Sequence, residues 1–142
     1  MVDLSQLSED MRAALAADQG ILDTFGCTVV TISEGVCELS CVVPDSLINA
    51  RGYAHGSIAF AVMDTACAYA LRSSGGGGVT IHGDTHFVRG AGRGDQLFVR
   101  VEVVTRTRSI ATLRGETFLL EDGERKLAAH GSFVFKLMRP QA

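Results

Sequence analysis

The chain has 142 residues, enough for one domain with a real hydrophobic core. Apolar residues make up 46% and charged residues 20%, an ordinary globular balance that excludes a disordered chain. The formal net charge of −3 gives no global electrostatic reason for a nucleic-acid partner. The longest apolar run is broken by Asp64, so it is a poor membrane span and no membrane association is expected.

Along the chain, Leu4, Leu7, Met11 and Leu15 are spaced three and four apart, which predicts a helical segment within residues 1–20. From Phe25 the period changes to two. Cys37, Leu39, Cys41 and Val43 fall on one face of a strand, with Glu38 and Ser40 on the other, and Pro44-Asp45 closes it. Cys27, Cys37, Cys41 and Cys67 include no Cys-x-x-Cys pair, and no secretory signal is visible. Cys37, Cys41 and Cys67 read as small core residues, so structural disulfides are not expected and a reducing cytoplasm is.

The stretch Asn49–Arg72 favours helix, with apolar groups all around the wheel, which predicts a helix enclosed by other structure. Ser73-Ser74-Gly75-Gly76-Gly77-Gly78 ends it. A strand meander follows. Val79, Ile81 and Phe87 are interleaved with Thr80, His82, Asp84 and His86, and Leu97, Val99, Val101 and Val103 with Phe98, Arg100 and Glu102. Ile110–Leu120 and Leu127–Lys136 repeat the habit across a turn at Glu121-Asp122-Gly123-Glu124. The order predicts one α+β domain over residues 1–142, in which an antiparallel sheet wraps around one long central helix. Its far face or edge strands remain available for oligomerisation.

Between His55 and Arg72, Asp64 is the only charged side chain. An isolated carboxylate in apolar surroundings is costly, and a mid-helix position disfavours capping, so Asp64 is a candidate for chemistry. His55 lies nine residues earlier, about 900° of rotation and about 13 Å of rise along one helix. The two side chains therefore point to opposite sides and share no direct hydrogen bond within one chain. If both serve one site, they come from two subunits or one acts indirectly. At the helix start, Gly56 offers a backbone N–H without an intrahelical partner, at the positive end of the dipole, where an oxyanion could be held.

The pattern Asn49-x2-Gly52-x2-His55-Gly56-Ser57-x6-Asp64 resembles the Asn-x2-Gly-x2-His-Gly-Gly-x6-Asp signature of hotdog-fold acyl-CoA thioesterases. The resemblance is to the branch associated with phenylacetic acid degradation (PaaI-like). It continues through Asp64-Thr65-Ala66-Cys67-Ala68-Tyr69-Ala70 and His86-Phe87-Val88-Arg89 to Gly94-Asp95, and runs from about Phe25 to the end. It implies hydrolysis of an acyl-CoA, with an aromatic, phenylacetyl-like acyl group expected. It further implies that Asp64 is the catalytic base or nucleophile and that the Gly56 N–H polarises the thioester carbonyl. Asn49 and His55 would orient substrate, water or the oxyanion loop of the neighbouring subunit. Thr80 falls where relatives have a small hydroxyl residue that helps hold water. Ser57 replaces the second glycine of the signature, which bears on the acyl pocket more than on the reaction. Dimers with shared active sites, commonly paired into tetramers, are implied. No metal or redox cofactor is required, since coenzyme A enters as part of the substrate.

Other readings of the same residues stand beside these. Ser57 near a histidine lacks the Gly-x-Ser-x-Gly context of a serine hydrolase. His82, Asp84 and His86 on one strand fit a polar interface or substrate-facing wall better than a metal site. His130 reads as an outward strand residue. Arg106 and Arg108, and likewise Arg89 and Arg93, either meet coenzyme A phosphates or are solvated. The alternatives at the level of function are a non-catalytic acyl-CoA-binding or sensing module and a hotdog hydratase or dehydratase.

Overall fold

The computed structural model describes residues 2–138; Met1 and residues 139–142 of the expected single domain lie outside the described residues. A 3-10 turn, Leu4–Gln6, precedes two short helices, α1 (Glu9–Ala17) and α2 (Gln19–Thr24). Strands β1 (Cys27–Ser33) and β2 (Val36–Val42) follow, then the long helix α3 (Gly56–Ser73). The chain ends in β3 (Gly78–Phe87), β4 (Gln96–Arg106), β5 (Ile110–Glu121) and β6 (Glu124–Leu137). All neighbours pair antiparallel in one sheet of order β1-β2-β4-β5-β6-β3, so β1 and β3 are its edges. Helix α3 packs against β2, β3, β4 and β5, and the expected wrapped-sheet architecture is what forms.

Strands β2 and β4 follow their predicted alternation, whereas on β3 the predicted apolar face, Val79, Ile81 and Phe87, is left exposed. Cys37, Leu39, Cys41 and Val43 are buried while Glu38 and Ser40 stay partly exposed, and Leu97, Val99 and Val101 repeat the pattern on β4. The β5–β6 turn is a two-residue hairpin whose central Asp122 and Gly123 both have positive φ (52° and 78°). That is the geometry which matches the right-handed twist of the flanking strands. The β1–β2 turn at Glu34-Gly35 is built the same way.

Two further expectations are revised. Leu4, Leu7, Met11 and Leu15 do not share one helix, because a new helix is capped at Ser8, between Leu7 and Met11. Asp3 accepts from the Ser5 N–H, and Ser8 Oγ accepts from the Met11 N–H at 3.1 Å and starts α1. Met11 and Leu15 are buried, whereas Leu4 is exposed. Helix α3 is not enclosed within one protomer either. Ile58, Val62, Met63, Ala66, Cys67, Ala70 and Leu71 face the sheet. Phe60, Ala61, Asp64, Thr65 and Ala68 form a second stripe that is only half covered. Burial pushes the Cys37 and Cys67 thiols up, as expected of core cysteines. Among the described residues no helix is long and apolar enough to cross a membrane.

Two glycines let the layers approach. A Cβ on Gly131 would fall on the Asp84 carbonyl oxygen of β3, and one on Gly115 would lie 2.9 Å from Met63 Sδ of α3. Both are contacts that real side chains do not make. We predict that Gly131→Ala forces β3 away from β6 and destabilises the fold by about 1–3 kcal/mol. Urea unfolding measures it, and a midpoint unchanged from wild type would contradict the close-approach argument.

Candidate active site

The loop between β2 and α3 is built by its own side chains. Asn49 Oδ1 accepts from the backbone N–H groups of Arg51 (2.9 Å) and Tyr53 (3.1 Å). The Asn49 N–H donates to the Tyr53 carbonyl and the Gly52 N–H to the Asn49 carbonyl, with Gly52 at φ 86°. Such an Asx-type closure uses the asparagine to satisfy backbone donors that no sheet would satisfy. The loop is tied down by the Ala54 N–H to Ala91 carbonyl bond (2.8 Å) and the His55 N–H to Leu47 carbonyl bond (2.8 Å).

His55 is the N-cap of α3. Its Nδ1 accepts from the Ser57 N–H at 3.0 Å and lies 2.8 Å from Ser57 Oγ. An imidazole in this place does the work of a capping serine or aspartate. The Gly56 N–H has no acceptor among the described residues. It sits at the positive end of an 18-residue helix. A Cβ at Gly56 would lie 3.3 Å from Cζ of Phe87, so glycine lets the end of β3 press against the helix start.

Asp64 lies two turns further along α3, half exposed on the open stripe. Thr80 Oγ1 donates to its Oδ1 at 2.6 Å, joining the middle of α3 to the start of the edge strand β3. Oδ2 is left free of partners among the described residues. Beside it opens a cavity of about 380 Å³. Phe60, Ala61 and Ala68 of α3 line one side, and Ile21 and Phe25, in α2 and just after it, line the other. Asp18 closes one end, with Oδ2 accepting from the buried Tyr69 hydroxyl at 2.9 Å. Burial first, and this carboxylate second, push the Tyr69 phenol up, so it is a permanent donor.

The structure therefore brings Asp64 and Thr80 together, and His55, Gly56 and Ser57 together, but it separates the two groups. Gly56 and Asp64 are eight residues apart on one helix, about 12 Å of rise. Asn49 and His55 commit their side-chain carbonyl and ring Nδ1 to the loop and cap. Arg89 donates to the Leu127 carbonyl at 2.9 Å, near the helix start. Arg106 donates to Ser74 Oγ (3.0 Å) and the Gly75 carbonyl (3.3 Å), at the far end of α3. Arg108 is exposed in the β4–β5 turn, and Arg93 lies 3.4 Å from Asp45. On β3, His82 is 3.7 Å from Asp84, while His86 stacks on the outward His130 with ring centroids 5.1 Å apart. The cavity wall from Asp18, Ile21 and Phe25 was missed by sequence reasoning. Only the helical spacing of Asp18, Leu22 and Phe25 hinted that this segment returns to the core.

The sequence profile of the Thioesterase superfamily matches residues 51–126, over half of the chain and the part that carries Gly56, Asp64 and Thr80. The chain belongs to that superfamily and is a thioester hydrolase of the hotdog fold. Its structure is similar to that of PaaI from the Escherichia coli phenylacetic acid degradation operon (TM-score 0.81, 21% identity, 89% of this chain and 95% of that one). It is similar also to a variant of phenylacetic acid degradation protein PaaI from Thermus thermophilus (TM-score 0.76, 24% identity, 84% and 99%). A third similar structure is a hypothetical thioesterase from Streptococcus pneumoniae with coenzyme A (TM-score 0.81, 17% identity, 90% and 99%). No curated protein matches the chain in sequence.

If His55 acts as the cap of α3, His55→Ala costs about 1 kcal/mol of stability and His55→Asn, another good cap, restores most of it. Thermal unfolding of the two variants tests this; equal losses in both would remove the capping role.

Proposed function

We propose that this chain hydrolyses an aromatic acyl-CoA, phenylacetyl-like in shape, to the free acid and coenzyme A, with Asp64 as the working carboxylate. The observation that carries the reading is the Asp64 carboxylate, held by Thr80 at 2.6 Å and open to the cavity beside α3. The Thr80 hydroxyl fixes one carboxylate oxygen. The other is left to take a proton from water as it attacks the thioester carbonyl, or to attack that carbon itself. Either route builds a tetrahedral oxyanion, which needs a preorganised N–H donor. Collapse of that intermediate expels the coenzyme A thiolate; on the second route it leaves a mixed anhydride on Asp64, which water then hydrolyses to the free acid and the restored carboxylate. Phe25 and Phe60 flank a floor of alanines, which suits a flat ring better than a flexible chain.

The donor is the Gly56 N–H of a second copy, because about 12 Å of helix rise keeps a protomer's own Gly56 from the carbonyl that its Asp64 serves. The edge strand β3 supports this arrangement. It exposes Val79, Ile81 and Phe87 and leaves a ten-residue edge unpaired within the protomer. Thr80, bonded to Asp64, lies near its start, and Phe87, packed against Gly56, lies at its end. Antiparallel pairing of two β3 strands about a two-fold axis near Gly83 sets Thr80 of one copy opposite Phe87 of the other. Each Asp64 then faces the partner's helix start, and two equivalent sites result. The free Nδ2 of Asn49 and Nε2 of His55 border the same junction.

The reaction is tested by thiol release across acetyl-, long-chain and phenylacetyl-CoA. The aromatic ester should be favoured at least tenfold in kcat/KM, and Asp64→Asn should lower kcat by 10²-fold or more, within the range of general-base catalysis (about 10²–10⁴). No thiol from any ester overturns the hydrolase reading, and an unimpaired Asp64→Asn overturns the site. Co-expressed Asp64→Asn and Gly56→Val chains should recover activity that neither variant has alone. Failure to complement would place both groups' service within one subunit.

A further inference from the structure

The opposite edge of the sheet carries two thiols that the hydrolytic reaction does not use. Cys27 of β1 and Cys41 of β2 are cross-strand partners, and their sulfur atoms are 2.8 Å apart. The Val42 N–H donates to the Gly26 carbonyl at 3.1 Å, so the next pair, Cys27 and Cys41, is a non-hydrogen-bonded one. Such pairs have Cα atoms about 4.5 Å apart and side chains turned to each other. That lies inside the span of about 4.4–6.8 Å that a disulfide accepts, at its short end, where the bond is more easily reduced again.

The two thiols are not equivalent. Cys41 is sealed in the core, 1% exposed, whereas Cys27 is partly exposed and lines a cavity of about 540 Å³ between β1 and the N-terminal helices. Arg12, Gln19 and Asp23 stand around the same cavity, with Leu15 and Leu22 as its apolar floor. A small charged peptide disulfide finds both signs of charge and a wall there. The hydrogen bond with Cys27 first, and burial second, push the Cys41 thiol up, which makes it the poorer entry point for an outside disulfide. Cys37 and Cys67 are fully buried and offer no competing entry point.

We propose that Cys27 and Cys41 are a reversible dithiol site that exchanges with low-molecular-weight disulfides, Cys27 being the entry thiol and Cys41 the resolving one. The Cys27 thiolate attacks one sulfur of R–S–S–R, forming Cys27–S–S–R and releasing the first R–S⁻, which takes up the proton that Cys27 lost. Cys41 then attacks the Cys27 sulfur, forming the Cys27–Cys41 bond. The second R–S⁻ leaves with the proton from Cys41. The protein gives up two electrons and two hydrogens, and the small disulfide becomes two thiols. The product staples the edge strand β1 to β2, far from the β3 edge where the hydrolytic sites are proposed to assemble.

The test uses the full chain, reduced and then equilibrated with graded ratios of oxidised to reduced glutathione, and read by intact mass and peptide mapping. Wild type should lose two hydrogens with the Cys27 and Cys41 peptides joined, and regain them in excess reduced glutathione. Cys41→Ser should trap one glutathione on Cys27, and Cys27→Ser should take none. A wild-type chain that stays reduced at every ratio overturns the site, as does a link through Cys37 or Cys67. Glutathione trapped on Cys41 in place of Cys27 overturns the assigned order. The wild-type mass stands as a test whether or not either variant folds.

Discussion

The rise of an α-helix, about 1.5 Å per residue, governs everything proposed for the hydrolytic site. One helix, α3, carries both the free N–H at Gly56 and the carboxylate at Asp64, and eight residues of helix hold them too far apart to grip one thioester carbonyl. Bending the helix would break the packing of Val62, Met63 and Ala66 against the sheet, which are among the most buried groups in the chain. The distance is therefore fixed within a protomer. On the proposed reading, a working site recruits the missing half from another copy.

The rest of the fold is consistent with that demand. The open stripe of α3 (Phe60, Ala61, Asp64, Thr65, Ala68) is apolar but for the carboxylate and a threonine, a composition that water alone covers poorly. The strand beside it, β3, is long, exposed and unpaired on one side, which soluble proteins usually avoid. Both irregularities lie on the same side of the molecule. At the other edge α2 packs against β1, and α1 and α2 are anchored through Met11, Leu15, Leu22 and the Tyr69–Asp18 hydrogen bond. The two edges are thus treated differently, one shielded and one left open.

Most of the fold was legible because period is a strong signal when one face is buried. The alternation of Cys37, Leu39, Cys41 and Val43, and that of Leu97 to Val103, translated directly into buried and exposed faces. The limits had physical causes. A leucine period across residues 4–15 looked like one helix because the cap at Ser8, which divides it, acts through a single side-chain oxygen that leaves the period intact. The all-round apolar wheel of α3 looked enclosed because hydropathy does not say whether the covering surface belongs to the same chain. At the site, the spacing of His55 and Asp64 was enough to separate them, while the Thr80–Asp64 contact spans the glycine run and needed coordinates. The wall at Asp18, Ile21 and Phe25 was missed, since the spacing of Asp18, Leu22 and Phe25 points the segment to the core but nothing local marks a half-exposed isoleucine as lining a cavity.

The signature around α3 also takes on a different meaning once its hydrogen bonds are followed. By resemblance, Asn49 and His55 are expected to orient substrate, water or the oxyanion loop. In the structure the Asn49 side-chain carbonyl holds Arg51 and Tyr53, Gly52 supplies the positive φ that lets the loop close, and His55 caps the helix. Together they give the backbone N–H groups around the helix start their partners, and the Gly56 N–H is left without one. A donor that must meet charge developing in a transition state works best when it is fixed beforehand and has nothing else to bind. On the proposed reading, these three residues prepare one backbone group, and Ser57, in place of glycine, turns its hydroxyl back to His55.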